Sequence, residues 1–158
     1  MSGPTEAVAK QGWSKDLADC VPKLITAYPV VAAKFMEAHP DLWMRCDYTW
    51  RSKQFQFDLF KKGRTLIDGV WKVTGAKVTD KDGINSPSHH NVYPSRALDF
   101  IIFRGKTPLW STKADPVAQA LYIEVGRLFE SQGIVSGATW KSDWKDPGHV
   151  QDSLEPVV

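Results

Sequence analysis

The chain has 158 residues, 42% hydrophobic and 24% charged, with 20 basic against 18 acidic side chains. That is enough for one hydrophobic core without covalent staples, and the interspersed charges leave no basic face of the kind a nucleic-acid binder needs. No stretch is long and apolar enough to span a bilayer, because the best one, residues 24–33, is broken by Pro29.

Residues 1–13 read as a loose lead-in, with neither the basic start nor the apolar centre of a secretory signal. Ser14 is placed to cap a short helix over residues 15–20, and Pro22 resets the chain. A second helix is predicted to start near Tyr28-Pro29, with Pro29 at its first position, and to end at His39-Pro40-Asp41. His39 in that terminator suits a helix C-terminus or solvent rather than a metal. Cys20 and Cys46 are read as free thiols in a reducing compartment, since two cysteines make no disulfide framework.

Residues 42–50 read as an aromatic-rich strand. Ser52 then caps a helix over residues 53–62, stopped by Gly63. Residues 65–86 carry a weak signal, with short strands around residues 70–73 and a turn at Asp80-Lys81-Asp82-Gly83. The near-continuous apolar run of residues 97–103 predicts a buried strand. Asp115-Pro116 opens an amphipathic helix that Gly133 closes, with Val117, Ala120, Leu121, Val125, Leu128 and Phe129 at helical spacing. Glu124 lies at the edge of that stripe, where a solvated charge is the plainer reading. Trp140 and Trp144 fall in a short, turn-rich closing segment, and the last seven residues read as a tail.

The chemistry concentrates in residues 88–99 and 146–149. His89 and His90 are adjacent, so in an extended segment only one of them can face a metal. Asp99 stands within the apolar strand, where a bare carboxylate is costly unless it is metal-bound or paired with an arginine. His149 supplies a third ligand, and His, Asp and His leave the open fourth position of a catalytic zinc site. Asp146-Pro147-Gly148-His149 has the composition of a type II turn, which holds a carboxylate base close to a ligand. A plain surface turn would have the same composition.

Ser88-His89-His90 followed by Pro94-Ser95-Arg96-Ala97-Leu98-Asp99 resembles the Ser-x-His…Ala-x-Asp signature of the zinc D-alanyl-D-alanine carboxypeptidase superfamily. Trp140 to His149 resembles the closing Trp…Asp-x-x-His motif of that family. Arg51-Ser52…Gln56…Leu59…Gly63-Arg64-Thr65 is similar to its Arg-Ser-x-x-x-Gln…Gly-Arg-Thr segment. The three matches come in the family's order over residues 50–151, and the nearest branch is the L-alanyl-D-glutamate endopeptidases used as phage endolysins. The chain has Pro94-Ser95 where the family often has glycine, and Gly137-Ala138-Thr139-Trp140 where Gly-Gly-Asp-Trp is common.

The resemblance implies His90, Asp99 and His149 as zinc ligands and Asp146 as general base. It implies Arg51, Ser88 and Gln56 on the substrate side, with the Arg51 guanidinium recognising a carboxylate of the stem peptide. The expected fold is α+β: a single domain with its core at about residues 14–151, helices around a small, mainly antiparallel sheet, and a zinc site at the sheet's rim. The expected activity is zinc-dependent hydrolysis of a peptidoglycan stem peptide by a monomer. It would wait in the host cytoplasm and reach the periplasmic wall after holin-type release, with no wall-binding domain and no nucleic-acid or membrane partner. The alternatives are a D-alanyl-D-alanine carboxypeptidase and a catalytically inactive, zinc-containing wall-binding module.

Overall fold

The computed structural model describes residues 3–140 and 145–157. Helices α1 (Glu6–Gln11), α2 (Pro22–Ala38), α3 (Lys53–Lys61) and α4 (Pro116–Ser131) surround a sheet built on strand β4 (Ala97–Arg104). One edge of β4 pairs with β1 (Leu42–Cys46). The other carries β5 (Thr107–Leu109) and, nearer the start of β4, β7 (His149–Gln151), which also pairs with β6 (Val135–Ser136). A separate hairpin joins β2 (Arg64–Ile67) to β3 (Val70–Val73). All these strand pairs are antiparallel, so the α+β class expected from the sequence is the class found.

Alternation along β4 divides its two faces. Leu98, Phe100 and Ile102 are buried against Leu24, Ala27, Val31 and Phe35 of α2 and Tyr122, Val125 and Phe129 of α4. Phe100 lies between the Tyr122 ring at 5.6 Å and the Phe129 ring at 5.7 Å, contacts that add to plain burial. The opposite face presents Asp99 and Ile101, both half-buried. Asp115 caps α4 by accepting from the Ala118 amide, and Ser52 caps α3 by accepting from Phe55. Both caps are where the sequence predicts them.

Four expectations are corrected. The lead-in contains α1, capped by Thr5 and closed by Gly12 in the left-handed region; none of its residues is buried, so no apolar stripe announced it. Over residues 15–20 only a 3-10 turn forms, Leu17–Asp19, capped by Asp16 rather than Ser14. Ser14 instead accepts from the Asp16 amide and donates to Asp19. Pro22, not Pro29, opens α2, and the helix runs straight through Pro29. Leu24, Ala27, Val31 and Phe35 form one buried stripe across the proline, and their packing overrides the missing bond to the Ile25 carbonyl. The strand expected to reach Trp50 ends at Cys46, because Asp47 and Tyr48 both face Asp99: Asp47 N donates to Asp99 O at 2.7 Å and Asp99 N to Tyr48 O at 2.7 Å. Two residues opposite one make a bulge, which kinks the strand.

Cys20 and Cys46 are both free, and burial pushes both thiols up, Cys46 to about 12.

Pro29 is solvent-facing, so its effect on α2 is local: the absent helix bond and the crowding of the Ile25 carbonyl by its ring. Pro29→Ala is expected to raise the unfolding free energy by about 1–2 kcal/mol, the helix gain less the lost chain stiffening. Chemical denaturation with an unchanged midpoint would contradict this.

Candidate metal centre

The site forms where β4, β7 and the 3-10 turn His89–Asn91 meet. The register pairs Asp99 with His149 across β4 and β7, so two candidate ligands from distant segments share one rung of a ladder. His90 comes from the 3-10 turn, whose cap is Ser88: its hydroxyl accepts from the His90 amide at 3.2 Å, and Asn91 Oδ1 accepts from Ser88 N at 2.7 Å. Ser88 lines the cavity, but its oxygen serves the turn that aims His90. The segment is a 3-10 turn, not the extended stretch expected from the sequence, so strand alternation does not separate the two histidines. Only one of them joins the candidate ligands: His89 lies outside that group and donates to the Glu155 carbonyl at 2.9 Å.

His90 Nε2, His149 Nδ1 and Asp99 Oδ1 form a nearly equilateral triangle with sides of 3.3, 3.2 and 3.2 Å. His90 is 1% exposed and His149 7%. Their outer nitrogens settle the tautomers. His90 Nδ1 lies 2.5 Å from the Thr49 carbonyl, an acceptor only, so Nδ1 carries the proton. Gln151 Nε2 donates to the Ser153 carbonyl at 2.7 Å, which turns Gln151 Oε1 toward His149 Nε2 at 2.9 Å, so there Nε2 carries the proton. In the neutral rings two lone pairs and a carboxylate oxygen therefore converge with no hydrogen between them. Such an arrangement needs a cation or an extra proton at its centre, and these three side chains could hold a metal ion.

The second carboxylate oxygen, Asp99 Oδ2, takes Arg51 Nη2 in a close ion pair. The arginine partner that the sequence left open for Asp99 is thus Arg51, and pairing and metal ligation use different oxygens. Arg51 lies over the Tyr48 ring at 4.9 Å, reaches Gln56 Oε1 at 3.4 Å and keeps a buried Nε without a partner. Its backbone is tied to the site, since Arg51 N donates to His90 O at 2.9 Å and Trp13 bridges it from the lead-in. Gln56, expected among the substrate contacts, is 0% exposed. Its amide binds Arg51, Thr79 and Lys81, so it positions neighbours and has no surface to offer a substrate.

Asp146 lines a cavity of about 230 Å³ together with Arg51, His90, His149, Lys81 and Trp140. It stays outside the ligand triangle. Its backbone bonds Gly137 O at 3.0 Å, and a Cβ on Gly137 would sit 2.3 Å from Asp146 O. His149 N closes the turn by donating to Asp146 O at 3.1 Å. The turn is not type II, however, because Gly148 is not left-handed. Glycine is needed there for another reason: a Cβ would lie 2.9 Å from Phe100 O. The Trp140 ring lies 5.6 Å from that of His149. Residues 141–144 of the closing motif, Trp144 among them, lie outside the described residues. His39 caps the end of α2 and bonds Glu124 at 2.6 Å, and neither belongs to the site.

Burial drives the His90 imidazole down to about 4, with the Arg51 charge adding to the effect, so it is neutral near pH 7. Burial also works against charging His149, but the Asp99 hydrogen bond and the nearby charges of Asp146 and Asp99 outweigh it and hold its pKa above the ordinary imidazole value. Burial works against ionising Asp99, yet His90, Arg51 and its hydrogen bonds keep it well below the usual carboxylate range. Asp146 is raised, by burial first and then by Asp99, despite opposition from His149 and Arg51.

The residues that sequence reasoning missed are those behind the ligands. Gln151 and Ser153 set the His149 tautomer, and the supposed tail is strapped down by Arg96. Arg96 meets both Asp152 carboxylate oxygens at 3.0 Å, Ser153 Oγ at 2.7 Å and Glu155 O at 3.0 Å. No family model matches the chain, and no curated protein matches it with significant similarity.

Two outcomes follow from this geometry. Gln151→Leu leaves the His149 Nε2 proton buried without an acceptor and is expected to weaken metal binding by about 10–100-fold, read by chelator competition. Because the raised His149 holds a proton that a cation must displace, metal affinity is expected to climb as pH rises past about 6.5 and to level off above the folded-state value. Calorimetry showing affinity independent of pH across that range would contradict it.

Proposed function

We propose that this protein is a zinc metallopeptidase of the D-alanyl-D-alanine carboxypeptidase type, acting as an endolysin on an amide of peptidoglycan stem peptides, the L-alanyl-D-glutamate bond being the best candidate. The observation that carries the reading is the convergence of three candidate ligand atoms beside a half-buried carboxylate that is not itself a ligand. Zinc fits the donor set. Bonds of about 2.0–2.1 Å to a tetrahedral ion put ligand atoms about 3.3 Å apart, which is the triangle made by His90, Asp99 and His149. Nitrogen and carboxylate donors with an open fourth position suit zinc better than calcium or magnesium, which prefer all-oxygen shells.

A zinc ion held there would supply Lewis acidity and lower the pKa of a coordinated water to about 7. Asp146 is the chain's own base. Its raised pKa suits it to accept the proton of the attacking water and to return it to the leaving amine. Arg51 anchors Asp99 in its ligating orientation and adds positive charge next to the developing oxyanion. Trp140 walls the His149 side and keeps bulk water from the ligand.

An endopeptidase needs room on both sides of the cleaved bond. Asp146 borders two cavities: the one already described, and a second of about 290 Å³ lined by Asp99, Trp110, Ser111, Tyr122 and Pro147. That supports cleavage within a chain over trimming of a terminal D-alanine. A monomer acting on the periplasmic wall after release from the host cytoplasm completes the reading.

The deciding experiment is digestion of purified sacculi by the zinc-loaded protein, with the new termini identified by mass spectrometry. New L-alanine carboxyl and D-glutamate amino ends are expected. Asp146→Ala is expected to keep its metal and lose at least about 100-fold in turnover, whereas His90→Ala and His149→Ala lose the metal itself. Intact sacculi with a fully metallated wild type would overturn the reading.

A further inference from the structure

The loop before the metal-binding turn is built rigidly against α3. Gln56 Nε2 donates to Thr79 Oγ1 at 3.3 Å and to the Lys81 carbonyl at 3.0 Å, and Lys81 N donates to Thr79 Oγ1 at 3.1 Å. Arg64 Nη1 holds the Thr79 carbonyl at 2.8 Å. Asp82 Oδ1 accepts from the amides of Ile84, Asn85 and Ser86, each at 2.8 Å. Gly83 is left-handed, and a Cβ on it would meet Gln56 and the Lys53 carbonyl at 2.9 Å. The backbone of Lys81 is therefore fixed at both its N–H and its C=O.

The charges around the cavity are mostly compensated. Arg51 is paired with Asp99. Asp80 is paired with Arg64 at 3.2 Å and Lys77 at 2.8 Å. Lys81, exposed to solvent, lines the same cavity, and among the described residues no carboxylate pairs with its ammonium. A fixed loop that brings an unpaired cation to the mouth of a cavity is a counter-charge for an anionic ligand.

We propose that Lys81, rather than Arg51, reads a free carboxylate of the substrate beside the cleaved amide, and so sets specificity for acidic over amidated stems. The inference rests on the peptidase reading above. A γ-linked D-glutamyl residue leaves its α-carboxylate free next to the bond, whereas the amidated D-isoglutaminyl form offers a neutral carboxamide. An ammonium on a fixed backbone favours the first and gains little from the second.

The test compares two synthetic stem peptides that differ only in that group, carboxylate against carboxamide. Each is cleaved by zinc-loaded wild type, Lys81→Met and Lys81→Arg. Wild type is expected to favour the carboxylate by about tenfold in kcat/KM, the usual worth of one charge-assisted hydrogen bond. Lys81→Met should lose that preference through a higher KM on the acidic peptide alone, and Lys81→Arg should retain it. Equal preference in wild type, or a Lys81→Met loss of the same size on both peptides, overturns the role of Lys81 while the peptidase reading stands. Cleavage of neither peptide by the metallated wild type overturns both.

Discussion

Asp99 sits where a carboxylate cannot remain unpartnered, and most of the site follows from how it is satisfied. It lies in the central strand with its amide and carbonyl held by Tyr48 and Asp47 at the bulge. Its two oxygens then face different neighbours, Oδ2 toward Arg51 and Oδ1 toward both imidazoles. Burying a charge of this kind is costly unless pairing and hydrogen bonds replace its hydration. Arg51 replaces half of that hydration. The other half is directed at a point where two further acceptors already converge.

The imidazoles are constrained from behind in the same sense. The Thr49 carbonyl fixes one ring, and the Ser153 carbonyl, through Gln151, fixes the other. The acceptor behind His90 is a backbone carbonyl, and the one behind His149 is the Gln151 side-chain oxygen, which a backbone carbonyl in turn holds in place. The Arg96 strap over residues 152–155 then supports the candidate metal site, since it holds the chain whose carbonyl orients Gln151. Ligand orientation from the layer behind is how protein metal sites usually gain affinity.

Much of this was legible in the sequence, and the reasons differ by residue. Asp99 stood out as a charge inside an apolar run, and α4 and α3 were marked by caps and helical spacing. His90 and His149 could be nominated by residue type, but nothing in periodicity says that residues 59 positions apart meet. That follows from the β4–β7 register, which sets His149 opposite Asp99, and from the Ser88-capped turn that brings in His90. Pro29 reads as a helix start by the local rule for proline alone, whereas the buried stripe that runs across it carries α2 through. Gln56 looked like a site residue and is one only at second hand. Gln151 carried no signal at all, since a lone glutamine near a terminus has meaning only once His149 and Ser153 flank it.

Gln56 also explains why α3 matters to a site that it never touches. One buried amide accepts from Arg51 and donates to the loop that carries Lys81. The cation that steadies Asp99 and the cation at the cavity mouth are therefore referenced to a single side chain on a single helix. Gly83 permits that closeness, because any side chain there would strike Gln56. Arg64, the first residue of β2, makes a similar link, gripping the Phe60 carbonyl at 2.7 Å and the Thr79 carbonyl at 2.8 Å. The segment from Arg51 to Arg64 is thus a brace between the buried carboxylate and the cavity rim. Gln56 ties the Arg51 guanidinium and the Lys81 backbone to the same helix.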